Sequence, residues 1–273
     1  MRIRTSGRWA WLGWAVVLAV ICALLRRWQM ATAFEGELSL PIPGATATVV
    51  LTCVLVMACA VLVLLAVHQR VVRPPRANER GRRWDMCFFA PGDRVFLGTM
   101  IVACFLALAS VPVLFNQGRE LWQFYRASLA VGAWKGGDNG LLTMVTALLA
   151  LLAALGLFLT GRDGYRAGRR GKGGFSAALP AATGCAWLME NYRSHAADPV
   201  LWDYVPLLLA IIAGMLLYMD WAGLSCTAAR PRRTLWMAGM TVILSAVALA
   251  TGEDLGNALL LLSQTVAALA ALW

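Results

Sequence analysis

The stretch ATATVVLTCVLVMACAVLVLLAV, residues 45–67, contains no charged side chain and is dominated by valine, leucine and alanine. As a helix rising 1.5 Å per residue it would be about 34 Å long, and roughly 20 apolar residues suffice to cross a hydrocarbon layer of about 30 Å. It has no polar face to show to water, so it reads as a transmembrane helix, and it decides the class of the whole chain. Seven more apolar segments accompany it, at 9–25, 95–115, 141–160, 175–193, 199–220, 234–251 and 255–272. The expected fold is all-α: a polytopic membrane helix bundle of eight transmembrane helices, forming a single membrane domain over residues 1–273.

The composition agrees. Of the residues, 60% are hydrophobic and 14% charged, with a mean hydropathy of +0.68; a soluble domain has about 25% charge. The formal net charge of +10 does not point to nucleic acid, because the basic residues alternate with the apolar segments. Such alternation is a topology signal, since cytoplasmic loops are enriched in Lys and Arg. With the N-terminus inside, the inside segments hold 18 basic residues and the outside segments 6. The acids run the other way, 9 outside and 5 inside. Adding or removing one helix would scramble this pattern, so eight spans with both ends in the cytoplasm are expected. Residues 1–25 have the basic start and apolar run of a signal peptide, but Arg26, Arg27 and Trp28 follow where a small-residue cleavage site would stand. The segment is read as a retained first helix.

The connecting segments differ in character. Residues 68–94 are the most basic, with Arg80, Arg82 and Arg83 at their centre, and Pro74 and Pro75 closing the second helix. This loop is either an anchor touching anionic lipid headgroups or a docking surface for a cytoplasmic protein partner. Residues 161–174 form a Gly/Arg linker with the same two readings. Residues 120–134 hold Trp122, Phe124, Tyr125 and Trp134, are too polar to span, and read as a short helix lying in the outer interface. No four-plus-four repeat is evident. Small residues recur every fourth position at Thr146, Ala150 and Ala154, and at Ser263, Ala267 and Ala271, a spacing that lets helices approach closely.

The chemically richest region is 185–206, CAWLMENYRSHAADPVLWDYVP. Asp198-Pro199 reads as a helix start, and Pro206 as a kink inside the helix that follows. The clean apolar part of the preceding helix, 175–189, covers only about 22 Å. To reach the outer surface it must continue through Glu190 and Arg193. Glu190 and Asp203 then lie at similar depth on either side of the turn, about 8–10 Å below it. Glu190 and Arg193 share a helix face, and Tyr192, His195 and Tyr204 are close by. Such a cluster either locks the hairpin as a structural ion pair or forms a shallow outward-facing ligand site built from Glu190, Arg193, Asp203 and Tyr204.

Other chemistry finds little support. No charge is expected near the middle of a span, which argues against an ion-coupled pump with a midplane carboxylate. His68 and His195 fall at opposite ends of the bundle, so they cannot ligate one haem. The seven cysteines form no CxxC pair, and there is no zinc motif, serine elbow, P-loop or dinucleotide fingerprint. No cofactor, metal site or catalytic residue is expected, and the balance leans away from an enzyme. Two classes remain: a binding or transport component for a small molecule or lipid, and a non-catalytic scaffold or sensor that docks a soluble partner through its arginine-rich loop.

Residues 25–48, LRRWQMATAFEGELSLPIPGATAT, and 189–216, MENYRSHAADPVLWDYVPLLLAIIAGML, carry a further signal. With the tract Arg230, Arg232 and Arg233, they resemble a group of uncharacterised multipass membrane proteins of gut-dwelling Firmicutes. The resemblance covers most of the chain. It implies a bacterial cytoplasmic membrane and no particular activity.

Overall fold

A computed structural model describes residues 8–34, 42, 44–68, 93–131, 140–166, 173–195, 200–224 and 230–273. Among the described residues there are eight helices: α1 (Arg8–Thr32), α2 (Thr46–His68), α3 (Arg94–Ala130), α4 (Leu141–Tyr165), α5 (Gly173–Ser194), α6 (Leu201–Leu224), α7 (Pro231–Thr251) and α8 (Leu255–Leu272). The chain is a polytopic bundle, with one helix at each of the eight apolar segments. Arg80, Arg82, Arg83, Trp134 and the Asp198-Pro199 helix start lie outside the described residues.

Among the described residues, seven helices are long and apolar enough to cross a membrane. The exception is α5, which has the length, about 33 Å for its 22 residues, but carries Pro180, Thr183, Glu190, Asn191 and Arg193. Of these, Thr183, Glu190 and Asn191 are buried in the bundle, whereas Arg193 is exposed. The other helices turn large apolar side chains outward. Trp14, Val17 and Leu24 of α1, Val56, Met57 and Leu64 of α2, and Leu148, Leu151 and Leu155 of α4 are all exposed. In water that surface would drive aggregation; against acyl chains it is matched. The protein is a multipass membrane protein.

Packing follows chain order for most of the bundle. Helices α3 to α8 each pack against the next, and α8 returns to α3, which closes a ring of six. Helices α1 and α2 dock outside it, α1 mainly on α7. The end at which α2, α4 and α6 finish is called the basic end here, after the basic residues that follow these helices in sequence, and the other the acidic end. At the basic end Arg233 pairs with Asp220 at 3.2 Å, joining α7 to α6.

The core is built from small residues. Ala103, Ala107, Ala150, Ala154, Ala181, Ala238 and Ala267 are all essentially inaccessible, and alanine surfaces let helices approach closely where no hydrophobic effect drives them together. The spaced residues Thr146, Ala150 and Ala154 form one such packed stripe. On α8, Ser263 and Ala267 are buried while Ala271 is half-buried. Two glycines mark crossings where one helix meets the backbone of the next. A Cβ on Gly156 of α4 would sit 2.5 Å from the Ser176 carbonyl oxygen of α5. Gly140, which caps α4 with φ +72°, passes so close to α3 that a Cβ would collide with the Gly118 carbonyl oxygen.

Two helices run further than the sequence suggests. α3 does not stop near residue 115 to begin a separate interfacial helix; it is one element of 37 residues, about 55 Å long. Asp93 starts it, its carboxylate accepting from the Val95 and Phe96 amides at 3.0 and 3.3 Å. Nothing in Asn116–Glu120 is strong enough to end it, because a lone glycine costs only about 1 kcal/mol in a helix interior. Trp122, Phe124 and Tyr125 therefore stand on its extension. Likewise α1 continues to Thr32, so Arg26 and Arg27 are helical rather than part of a loop.

Candidate functional site

Following α3, α4, α5 and α8 toward the acidic end leads to a cavity of about 530 Å³. Its wall takes Leu114, Gln117, Glu120 and Phe124 from α3, Thr143 from α4, Glu190, Asn191 and Ser194 with His195 from the end of α5, and Asp254 and Asn257 from the start of α8. This volume lies within the roughly 300–1,000 Å³ typical of small-molecule sites. Three carboxylates line it, Glu120, Glu190 and Asp254, and no Lys or Arg does among the described residues. Glu120 and Asp254 are exposed at the rim, whereas Glu190 is 8% exposed.

The cavity floor is a cycle of three hydrogen bonds. The Trp187 indole Nε1 donates to Asn257 Oδ1 at 2.7 Å, Asn257 Nδ2 donates to Asn191 Oδ1 at 3.2 Å, and Asn191 Nδ2 donates to the Trp187 carbonyl at 3.0 Å. These bonds tie α5 to α8 and orient both amides. Above them, His195 Nδ1 lies 2.9 Å from the Asn191 carbonyl oxygen, and its ring stacks on Tyr204 with centroids 5.5 Å apart.

Beside the cavity, the acidic end is held together by Arg26, which is fully buried. Its Nη1 donates to Gln29 Oε1 at 2.7 Å, its Nη2 to the Trp202 carbonyl at 2.7 Å and its Nε to Thr251 Oγ1 at 3.1 Å. Gln29 in turn donates to Thr48 of α2 at 3.0 Å. One guanidinium thus joins α1 to the first turn of α6 and the last turn of α7. Thr251 stands three residues before Asp254, so this network also fixes the entry of the chain into the cavity wall.

Of the residues singled out from sequence, Glu190 lines the cavity. Tyr204 reaches it through His195. Arg193 is exposed, is not part of the wall and makes no ion pair among the described residues. Asp203 lies in α6, and its side chain is outside the described residues. Sequence reasoning missed the role of Arg26, which it placed in a loop, and gave none to Asn257, although an asparagine in an otherwise apolar segment is the signal that finds it. No three His, Cys, Asp or Glu side chains among the described residues converge closely enough to hold a metal ion.

Comparison of the chain with protein-family models, curated proteins and solved structures yields no match.

Proposed function

We propose that this chain is a membrane-embedded binding or transport component for a small organic cation, taken up in the cavity at its acidic end. The observation that carries this reading is the cavity itself, with three carboxylates and, among the described residues, no Lys or Arg in its wall. Carboxylates spread around a wall of this size suit a molecular cation with distributed contacts better than a single ion. Phe124 and His195 supply ring faces for its apolar part. The excess of basic residues at the other end assigns that end to the cytoplasm, so the cavity opens outward. The resemblance to membrane proteins of gut Firmicutes makes the bacterial cytoplasmic membrane the expected location.

Choline serves as the probe, with acetate as the anionic control. Purified protein in detergent should show a saturable rise in thermal stability with choline and none with acetate. Glu190→Gln keeps the shape of the side chain and removes its charge. It should weaken choline binding about tenfold or more, the equivalent of roughly 1.4 kcal/mol, while the unliganded protein remains folded. Equal responses to choline and acetate, or a Glu190→Gln protein that binds choline as wild type does, would remove the basis for a cation site.

A further inference from the structure

His195 stands half-buried in the cavity wall, just past the end of α5. Its surroundings fix where its proton sits. Nδ1 lies 2.9 Å from the Asn191 carbonyl oxygen. A carbonyl oxygen can only accept, so Nδ1 carries the proton and donates. Ser194 Oγ, 3.0 Å from Nδ1, does not displace it, because the Ser194 hydroxyl donates to the same carbonyl at 3.0 Å. A neutral imidazole has one N–H, so Nε2 is left with a lone pair. Among the described residues no group donates to Nε2, and the ring itself is stacked on Tyr204.

This nitrogen differs from the other polar groups of the wall. The Asn191 and Asn257 amides are engaged in the floor cycle with Trp187. Gln117 and Thr143 carry groups that donate as readily as they accept, so they do not select one kind of ligand atom. The three carboxylates answer to positive charge, and a quaternary ammonium without any N–H balances them as a protonated amine does. His195 Nε2 is uncharged and only accepts. What it adds is a requirement for a hydrogen. A hydroxyl or amine on the ligand completes it, whereas a methyl in the same place takes water away from the nitrogen and returns nothing.

We propose that His195 is the specificity-determining acceptor of the cation site. Its Nε2 accepts from an O–H or N–H of the ligand, so the cavity selects an organic cation that bears such a group, as an amino alcohol does, over one whose substituents are all alkyl. The carboxylates hold the positive centre, and Nε2 reads the donor attached a few atoms away. The bond to the Asn191 carbonyl and the stack on Tyr204 hold the ring for this from two helices, α5 and α6. This rests on the cation site proposed above and adds the chemical class of its ligand.

Choline and propyltrimethylammonium are a matched pair for the test: a methyl replaces the hydroxyl and the charge stays. Apparent affinities of the purified full-length protein are taken from thermal-shift titrations at pH 8, where histidine side chains are ordinarily neutral. Wild type should favour choline about fivefold or more, the scale of one hydrogen bond. His195→Phe keeps a ring to stack on Tyr204 and removes Nε2. It should bind choline about fivefold more weakly, and propyltrimethylammonium as wild type does. Tyr204→Phe keeps the stack, removes the neighbouring hydroxyl and should retain the preference; this comparison and the wild-type one stand whether or not His195→Phe folds. Binding of neither cation by wild type would overturn the cation site and this assignment with it. Equal binding of both by wild type would overturn the role of His195 alone, as would a preference that survives in His195→Phe or vanishes in Tyr204→Phe.

Discussion

Arg26→Ala is expected to lower the stability of the protein by about 3–5 kcal/mol, the range seen when one partner of a buried charged network is removed. Three hydrogen bonds to a fully buried guanidinium disappear at once, and hydrogen bonds to charged groups are each worth about 1.5–3 kcal/mol. The loss also leaves the Trp202 carbonyl, Gln29 and Thr251 without the donor that served them, and it opens a void the size of an arginine side chain. Arg26→Lys should recover only part of the deficit. An ammonium retains the charge but cannot direct three donors at three acceptors lying on different helices. The measurement is a thermal or denaturant unfolding series in detergent. Because Arg26 fixes the start of α6 and the end of α7, the surviving Arg26→Lys protein should also bind choline more weakly without any change in the cavity's charge. A wild-type midpoint for Arg26→Ala would mean that the guanidinium is not the clamp the geometry describes.

Gly140→Ala comes next in size, with an expected loss of about 2–4 kcal/mol. Two costs add. An L-residue held in the left-handed region loses roughly 1–2 kcal/mol, and φ at Gly140 is +72°. The added methyl would also press on the Gly118 carbonyl oxygen and on Leu121 of α3, and overpacking of this kind costs typically 1–3 kcal/mol. α3 could yield only by moving away from α4, and these two helices supply Leu114, Gln117 and Thr143 to the cavity wall. Gly98→Ala is the control: it lies on α3, with nothing within 4 Å of its Cβ position. There alanine should raise stability by about 0.5–1 kcal/mol through helix propensity. Equal effects at the two positions would show that the α3–α4 crossing is not close-packed at Gly140.

The eight helices were legible because their cores are apolar runs punctuated by charge, as residues 45–67 show most plainly. The helix ends were harder to see. Arg26 and Arg27 look like the start of a loop, because a basic pair after an apolar run usually marks the water boundary. Arg26 is held there by acceptors that are 176 and 225 residues away in the chain, and no local pattern predicts such partners. α3 continued past residue 115 for a related reason: neither Pro112 nor the polarity of Asn116–Glu120 ends it where no cap intervenes. In the candidate site, Glu190 was legible because α5 is too short without it. The Trp187–Asn257–Asn191 cycle was not, since it joins helices separated by about 66–70 positions. Glu120, at the start of the expected interfacial helix, and Asp254, between the last two spans, had no visible relation until the ring closed and brought α3 and α8 together.

Everything proposed for the cavity depends on which side of the membrane it faces, and cysteine labelling measures that directly. In a chain freed of its own cysteines, single cysteines replace Asp254 at the cavity rim and Arg232 at the opposite end. A membrane-impermeant maleimide is then applied to intact cells. Asp254→Cys should label at once, and Arg232→Cys only after permeabilisation. Labelling of Arg232→Cys in intact cells, with Asp254→Cys protected until the membrane is opened, would place the cavity on the cytoplasmic side and contradict the account.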